Sequence, residues 1–562
     1  MVLDAVGTLD FQVGEDLKSK ITVTYPDPKL GDYATNAALV LAKALGKSPN
    51  DVAKEILAKM EISEFESITV AGAGFINFRL KTERLLGQIT DSNEPAFAET
   101  SAGEQTTRSE KILVEYFQPN VAKPLHIGHL RTAIIGDCLS RMLKFLGHHV
   151  ESDTHMGDWG TQFGQLILAY RKYGNPELVA NDPINELNKL YVKINQEIEK
   201  NPVLHDEAKQ EFVKLERGDP ENLAIWKKFV DWSMEKHLQI NELMGIQKFD
   251  HHWPESFYQD KMPAVLMELK IKGLLKESQG AQIVDLDQQG LGVALIVKSD
   301  GGTTYLLRDL ATFIYRKSLG FQKQLYVVDV RQARVFAQLF AILKLIGEIK
   351  DGEAIHIDYG FMSFKGEALS TRSGNMVLAE ELIKTANEKV SKIIASKNPS
   401  LKDKAHIAKV IAQGAIKYFD LAHNRHSDIE FDWDKALDFN GDSGPYLQYT
   451  YARLSSILRK AEVPSSKFQV PSSMTPTERE VLFKSTILAE IVSDTAKDYM
   501  PNILANYLFS FATLLNKFYH ESPVLAEKDE AIKNFRLSLI AQAAKILGQG
   551  MDLLGIEPVA EM

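Results

Sequence analysis

The sequence predicts an α/β fold: a doubly wound parallel sheet with a helical insertion, preceded by a small α+β domain and followed by an all-α domain. Three observations predict it. Ile112 to Phe117 is a short apolar run that Pro119 and Asn120 end, and from Leu130 a helical series begins at Leu130, Ile134, Cys138, Met142 and Leu146, closed by Gly147. Strand-like runs recur at His149 to Asp153, Leu325 to Val330 and Ile355 to Tyr359, with helix-length connections between them. From about residue 385 onward only helical patterning remains, with Pro501 and Pro523 as punctuation.

The chain has 562 residues, too many for one core, and the length suggests three or four domains. It is 44% hydrophobic and 25% charged, the composition of a soluble globular protein, and its net charge of -10 argues against nonspecific binding to polyanions while leaving room for a local basic surface. Cys138 is the only cysteine, which rules out an intrachain disulfide and a multi-cysteine zinc site; its place on the apolar helix stripe makes it a core residue. Asp4, Asp10, Glu15 and Asp16 interrupt the N-terminus, so it does not read as a secretory signal. No run reaches the ~18 apolar residues of a membrane span. The expected address is cytoplasmic.

Residues 1 to 105 read as the small α+β domain, with helices over Ala37 to Leu45 and Val52 to Met60 and strands within Ile68 to Leu80. Phe75, Asn77 and Phe78 are candidates to stack on and hydrogen-bond an unpaired base, with ordinary strand packing as the alternative. Asp91 to Arg108 has the composition of a linker. The second domain, residues 106 to 385, holds the sheet and a charged, largely helical insertion at about 175 to 300. In THMGDWGTQFG, the glycines at 157, 160 and 164 with Asp158 and Trp159 suggest a rigid loop beside a ligand. His251 and His252 have no ligand cluster in sequence and predict no metal site.

Thr303 to Leu307 reads as a further strand leading into a helix from Asp309, which would set Tyr305, Asp309, Asp329 and Gln332 at or near strand ends, where such sheets bind ligands. The loop FKGEALSTRSGN carries Lys365 and Arg372, cations suited to closing over a phosphate chain. In the last domain, residues 386 to 562, DSGPYLQYTYARLSSILRK presents Tyr446, Gln448, Tyr449, Tyr451 and Arg453 on or near one helix, for base stacking or for the bundle core.

The centre of the chain is His126-Ile127-Gly128-His129, placed where a strand feeds a helix. The first helical turn has unpaired N–H groups and a partial positive charge, so it receives phosphate. Residues three apart share a face there, so His126 and His129 can address one phosphate together. Gly128 leaves room for close approach, and Lys123 adds a full charge just before the turn.

These motifs in this order, PNVAKPLHIGHLRTAIIGD, GDWGTQFG, YLLRDLATFIYR, LSTRSGN, YLQYTYARLSSI and FYHESPVL, resemble the class I aminoacyl-tRNA synthetases, most closely the arginyl-tRNA synthetase family, over nearly the whole chain after about residue 28. The resemblance implies a Rossmann-like catalytic domain between an additional tRNA-binding domain and a helical anticodon-binding domain. It implies ATP binding by His126, Gly128, His129, Ser370, Thr371 and Arg372, with His126, His129, Lys123 and Arg372 in catalysis. The arginine site would be Glu115, Gln118, Asn120, Tyr305, Asp309 and Gln332. Asp309 and Glu115 could supply the charges for a guanidinium and an α-amino group. The tRNA contacts would come from Phe75, Asn77, Phe78, Tyr446, Gln448, Tyr451 and Arg453.

One motif departs from the family. Ala368 and Thr371 stand at the two lysine positions of the KMSKS loop, leaving Lys123, Arg372 and Lys365 to supply charge. Arginyl enzymes often lack those lysines and carry one just upstream of HIGH, as Lys123 is here. The implied reaction forms arginyl-adenylate from arginine and ATP with Mg2+, then esterifies tRNA(Arg), with tRNA needed for efficient activation. No zinc, no other metal and no membrane are expected, and the working form is expected to be a monomer. A synthetase for another amino acid, or a synthetase-like RNA-binding protein without catalysis, are the rival readings.

Overall fold

The structure is a computed structural model and describes residue 6 and residues 15–90, 109–364, 377–461 and 474–562. Near the N-terminus, strands β1 (Val23–Thr24), β2 (Tyr33–Thr35), β3 (Phe65–Ala71) and β4 (Phe75–Leu80) form an antiparallel sheet ordered β1-β2-β4-β3. Helices α1 (Ala37–Leu45) and α2 (Pro49–Ala58) cover it, and Leu41, Val52, Ile56, Ile76 and Phe78 make its core. Helix α2 starts where Ser48 Oγ accepts from Asp51 N at 3.2 Å and Pro49 needs no N–H partner.

The central sheet is fully parallel and ordered β11-β10-β5-β6, from β5 (Lys111–Glu115), β6 (His149–Asp153), β10 (Lys323–Asp329) and β11 (Ala354–Tyr359). From β5 the chain crosses through α3 (Ile127–Phe145) to β6 on one side; from β10 it crosses through α9 (Ala333–Ile346) to β11 on the other. The direction therefore reverses between β5 and β10, and a crevice opens at their carboxyl ends. Alternate residues of the strands serve two cores: Ile112, Val114, Val327 and Ile357 pack with α3, while Tyr326 packs with Phe336 and Leu339 of α9.

Helix α3 is buried nearly all round, not along the one stripe that the sequence predicts. Arg131, Thr132, Asp137 and Ser140 are as buried as Leu130 and Ile134, because the C-terminal helices cover the face away from the sheet. At Gly136 a Cβ would stand 2.2 Å from the Tyr116 ring, so only glycine lets α3 lie this close to the end of β5.

Between β6 and β10 lies the insertion. After α4 (Thr161–Tyr173) it contains helices α5 (Pro183–Lys200), α6 (Val203–Glu216) and α7 (Pro220–Leu243), but the expectation of a largely helical insertion needs correction at its end. There β7 (Leu275–Ser278), β8 (Ala281–Asp285) and β9 (Val293–Val297) form an antiparallel sheet. Its turns fall on glycines with positive φ, at Gly280 and at Gly290 and Gly292. A second correction concerns Thr303 to Leu307, which is not a strand. Thr304 caps α8 (Tyr305–Ser318), its Oγ1 accepting from Leu307 N at 3.4 Å, so Tyr305 and Asp309 sit on a helix and not at strand ends.

Past β11 comes β12 (Met362–Phe364), then helices α10 (Ala379–Lys397) and α11 (Lys404–Leu421). Strand β13 (Ile429–Phe431) pairs parallel with β12, contrary to the expectation of no strand after residue 385. Three residues are too short to register as a periodic signal. Helices α12 (Gly444–Lys460), α13 (Pro501–Glu521) and α14 (Glu530–Leu553) complete the bundle. The small N-terminal domain rests on it through Arg479, which pairs with both oxygens of Asp32 at 2.7 and 2.8 Å.

Candidate active site

The HIGH turn is a helix cap made of two imidazoles. His126 is extended at the start of α3, and its Nδ1 accepts from Gly128 N at 3.1 Å. His129 Nδ1 accepts from His126 N at 3.2 Å, completing a reciprocal capping box. With both Nδ1 atoms accepting, each neutral ring carries its proton on Nε2, as a donor. The rings lie 3.9 Å apart, centroid to centroid. Burial lowers the His126 pKa, helped by Arg331, and it holds His129 well below the usual range, helped by His126, His237 and Lys123. Two neutral imidazoles thus present N–H donors beside the unpaired amides of a helix start.

Two segments hold this turn in place. On one side, Ile127 N donates to Val377 O at 3.1 Å and Ala379 N to Leu125 O at 2.9 Å, which stitches the start of α10 to the HIGH turn. Lys365, Ser370, Thr371 and Arg372 lie outside the described residues; their flanks, Phe364 on β12 and Val377, are inside. On the other side, α7 grips the loop before the turn: Ser233 Oγ accepts from Ala122 N at 3.0 Å, and His237 Nε2 meets Lys123 O at 3.0 Å. Ala122 has φ +63°, a left-handed conformation costly for a residue with a Cβ, and these bonds fix it. Lys123 is exposed, with its ammonium 5.7 Å from the Tyr191 ring centroid.

The acidic half of the crevice is built around a guanidinium of the chain itself. Glu115, at the end of β5, pairs with Arg316 Nη1 and accepts from Gln118 Nε2 at 3.2 Å. Arg316 Nη2 meets Asp153 Oδ2 at 2.5 Å. Burial alone would raise the Glu115 pKa, but Arg316, His155 and Gln118 together hold it below the usual carboxylate value. Glu115, Asp153 and His155 are close enough to share a metal ion, but the Arg316 guanidinium already pairs with both carboxylates, so a cation there would have to displace it.

Asp309 differs from these two acids. It is half-buried one turn into α8, and among the described residues no hydrogen bond or ion pair satisfies it. Burial, then Glu115, pushes its pKa up to about 7, against the pull of Arg308 and Arg316. The remaining predicted arginine ligands are more open. Tyr305 is exposed, with the Arg308 guanidinium 5.5 Å from its ring centroid. Asn120 is exposed and packs over Gly157, where a Cβ would meet its Oδ1 at 2.3 Å. Gln332 is exposed in the turn after β10, beside the Asp329–Arg331 pair.

Several predicted nucleic-acid contacts are corrected. Phe75 is 44% exposed, but Asn77 and Phe78 are only 4% and 2% exposed, inside the N-terminal core. Gln448 is fully buried and donates to Val410 O and Glu557 O. Tyr446 and Tyr451 are partly buried among the bundle helices, where Tyr446 Oη accepts from Asn516 Nδ2 and Tyr451 lies against Gly548. Arg453 is the exception. Its guanidinium lies between the rings of Tyr449 and Tyr519, at 4.8 and 4.9 Å, on the wall of an 870 Å³ cavity also lined by Arg459 and Lys460. Residues that the sequence reading missed are Asp153, Ser233, His237, Arg316 and Tyr519; only Arg316 had a signal, standing two helical turns from Asp309 on the same face.

Comparison with known proteins agrees along the whole chain. Residues 95–433 match the family described as tRNA synthetases class I (R), catalytic domain; residues 447–562 match the DALR anticodon binding domain, and residues 2–80 the arginyl tRNA synthetase N terminal domain. An arginine--tRNA ligase of Alkaliphilus metalliredigens is 38% identical over 567 residues, covering 100% of this chain and 99% of that protein. One from Clostridium perfringens is 39% identical, covering 96% of this chain and 95% of that protein. Among solved structures, arginyl-tRNA synthetase from Plasmodium falciparum superposes with a TM-score of 0.85 at 25% identity, and that from Thermus thermophilus with 0.84 at 26%; each comparison covers 100% of this chain and 98% of the other. An imidazole pair at the helix start after the first strand of a parallel sheet, an acid beside the end of that strand with no ion pair among the described residues, and family matches over all three domains lead to one statement: the chain belongs to the class I arginyl-tRNA synthetases.

Proposed function

We propose that this chain activates arginine with ATP and passes it to tRNA(Arg) at the crevice between β5 and β10. The observation that carries the reading is Asp309, a half-buried carboxylate that makes no ion pair among the described residues and lies beside Glu115, at the end of the strand that leads into the HIGH turn. A guanidinium is the planar cation that suits it, with Glu115, Gln118, Asn120, Tyr305 and Gln332 around the rest of the amino acid. His126 and His129 would donate from Nε2 to phosphate oxygens, and Lys123 with Arg372 would add positive charge. Ser370 and Thr371 would contact the nucleotide beside Gly128.

In the first step an oxygen of the arginine carboxylate attacks the α-phosphorus and pyrophosphate leaves, giving the mixed anhydride arginyl-adenylate. The imidazole N–H groups and the helix start stabilise the charge that builds on the phosphate, and being neutral they need no proton transfer to do so. In the second step a hydroxyl of the terminal ribose of tRNA attacks the anhydride carbonyl, and AMP leaves. Magnesium would arrive with the nucleotide. The nearby Asp329 is already paired with Arg331, which suits a metal held mainly by phosphates and water.

For tRNA, we assign Phe75 to a base contact on the N-terminal domain and Tyr449, Arg453 and Tyr519 to stacking of splayed bases at the cavity of the helical domain. Among the described residues no helix is long and apolar enough to cross a membrane. A cytoplasmic monomer is part of the proposal, and sedimentation at working concentration tests the monomer. Pyrophosphate exchange with each amino acid, with and without tRNA, tests the whole reading. Arginine alone should support exchange, and only with tRNA present; exchange driven by another amino acid would end the assignment.

A further inference from the structure

Glu115 and Asp153 are direct partners in the parallel register of β5 and β6, so two carboxylates end adjacent strands side by side. Like charges so placed repel, and burial increases the cost. Arg316 answers both at once: its side chain is fully buried, with Nη1 on Glu115 and Nη2 on Asp153. Only a flat, forked cation spans two carboxylates in this way. Helix α8 carries Arg316 and Asp309 seven residues apart, on one face, so the element that brings the neutralising guanidinium also brings the acid left without one.

We infer that Arg316 is a positioning and specificity-determining residue of the arginine site, a resident guanidinium that holds Glu115 and Asp153 in place and leaves Asp309, which makes no ion pair among the described residues, to the guanidinium of the substrate. This rests on the pocket reading above and goes beyond it, because it makes the placement of the pocket's carboxylates depend on a fully buried residue. Glu115 keeps one oxygen on Gln118, so the fork also aims the amide that lines the pocket. Arg316 is faced by Glu115 of β5, Asp153 of β6, Tyr326 of β10, by Tyr258 and His155 from the connecting segments, and by Asp309 of its own helix. Of these, the three carboxylates are the groups whose ionisation its removal would disturb, each taking up a proton more readily.

The test is steady-state kinetics of the full chain with tRNA present, varying arginine and ATP separately, for Arg316→Lys, Arg316→Met and Asp309→Asn. The lysine variant should raise the arginine KM about tenfold, and the methionine variant more, while the ATP KM stays within about twofold. In Arg316→Met the acid limb of kcat/KM for arginine should move to higher pH, and Arg316→Lys should restore part of that shift. Should the methionine variant fail to fold, the lysine variant decides alone through its split between the two KM values. A folded variant with a wild-type arginine KM and an unmoved acid limb, or with both KM values raised equally, would overturn the inference. An unchanged arginine KM in Asp309→Asn would instead sink the pocket reading, whatever Arg316 does.

Discussion

Arg131 and Asp420 form a buried ion pair, Nε to Oδ1 at 3.1 Å, that ties the helix bearing His129 to a helix of the C-terminal bundle. The same guanidinium donates to Gly360 O at 2.5 Å and to Phe361 O and Ser427 O at 3.3 Å, reaching the turn between β11 and β12. One side chain thus joins the HIGH helix, the end of the sheet and the helical domain.

Removing one partner would leave the other charge buried and unpaired. Arg131→Met should cost about 3–5 kcal/mol of stability, and Arg131→Met with Asp420→Leu distinctly less. Chemical denaturation of both variants checks this, and equal losses would show that the pair is not what joins the domains.

For Asp309, burial and Glu115 favour the protonated form up to about pH 7. A guanidinium needs the carboxylate, so arginine affinity should fall as pH drops through 7, by about tenfold per unit below it. Because the folded-state pKa is raised from 3.8, the cost of ionising Asp309 builds up as pH rises from about 4 to about 7 and is carried in full above that. Asp309→Asn should therefore flatten the binding profile and raise Tm at pH 8 in the absence of arginine. Calorimetry from pH 5.5 to 8.5 checks both; affinity independent of pH in the wild type would refute the assignment.

The imidazole pair should act on rate more than on amino-acid binding. His126→Asn and His129→Asn should each lower kcat of pyrophosphate exchange about 10²-fold or more while leaving the arginine Kd nearly unchanged. Burial shifts both rings toward the neutral form, so loss of activity from their protonation is expected only on the acid side of the ordinary histidine range. Exchange rates and equilibrium binding, measured separately, distinguish this from a role in holding arginine.

Stacking residues and core residues of α12 should separate cleanly. Tyr449→Ala and Arg453→Ala should weaken tRNA binding by about 1–3 kcal/mol with little change in Tm. Gln448→Ala, which removes two buried hydrogen bonds, should lower Tm by several degrees and alter tRNA affinity less. Filter binding with thermal unfolding would expose the opposite pattern at once.

Much of the sheet was legible because burial writes itself into sequence period. Ile112 to Val114 and Leu325 to Val327 read as strands since both faces are covered. The HIGH turn was equally plain, since a helix start places His126 and His129 on one face by local geometry alone. Sequence reasoning failed where a neighbour far along the chain overrules local pattern. Phe78 and Gln448 look like contact residues until the sheet and the bundle close over them. Arg131 looks like a solvated helix residue until Asp420 arrives from 289 positions away.

By itself, then, the sequence determined the strand-to-helix motif, the order of the domains, and the amides and imidazoles that suit a phosphate, because each depends on residues a few positions apart. Only the tertiary structure decided which carboxylates remain free. Glu115, Asp153 and Asp309 are chemically alike, and what distinguishes them is Arg316, brought by α8 to the seam between β5 and β6, where it pairs with two and leaves the third. Ionisation of a buried acid depends on what stands within a few ångströms of it in space, and that distance has no counterpart along the chain.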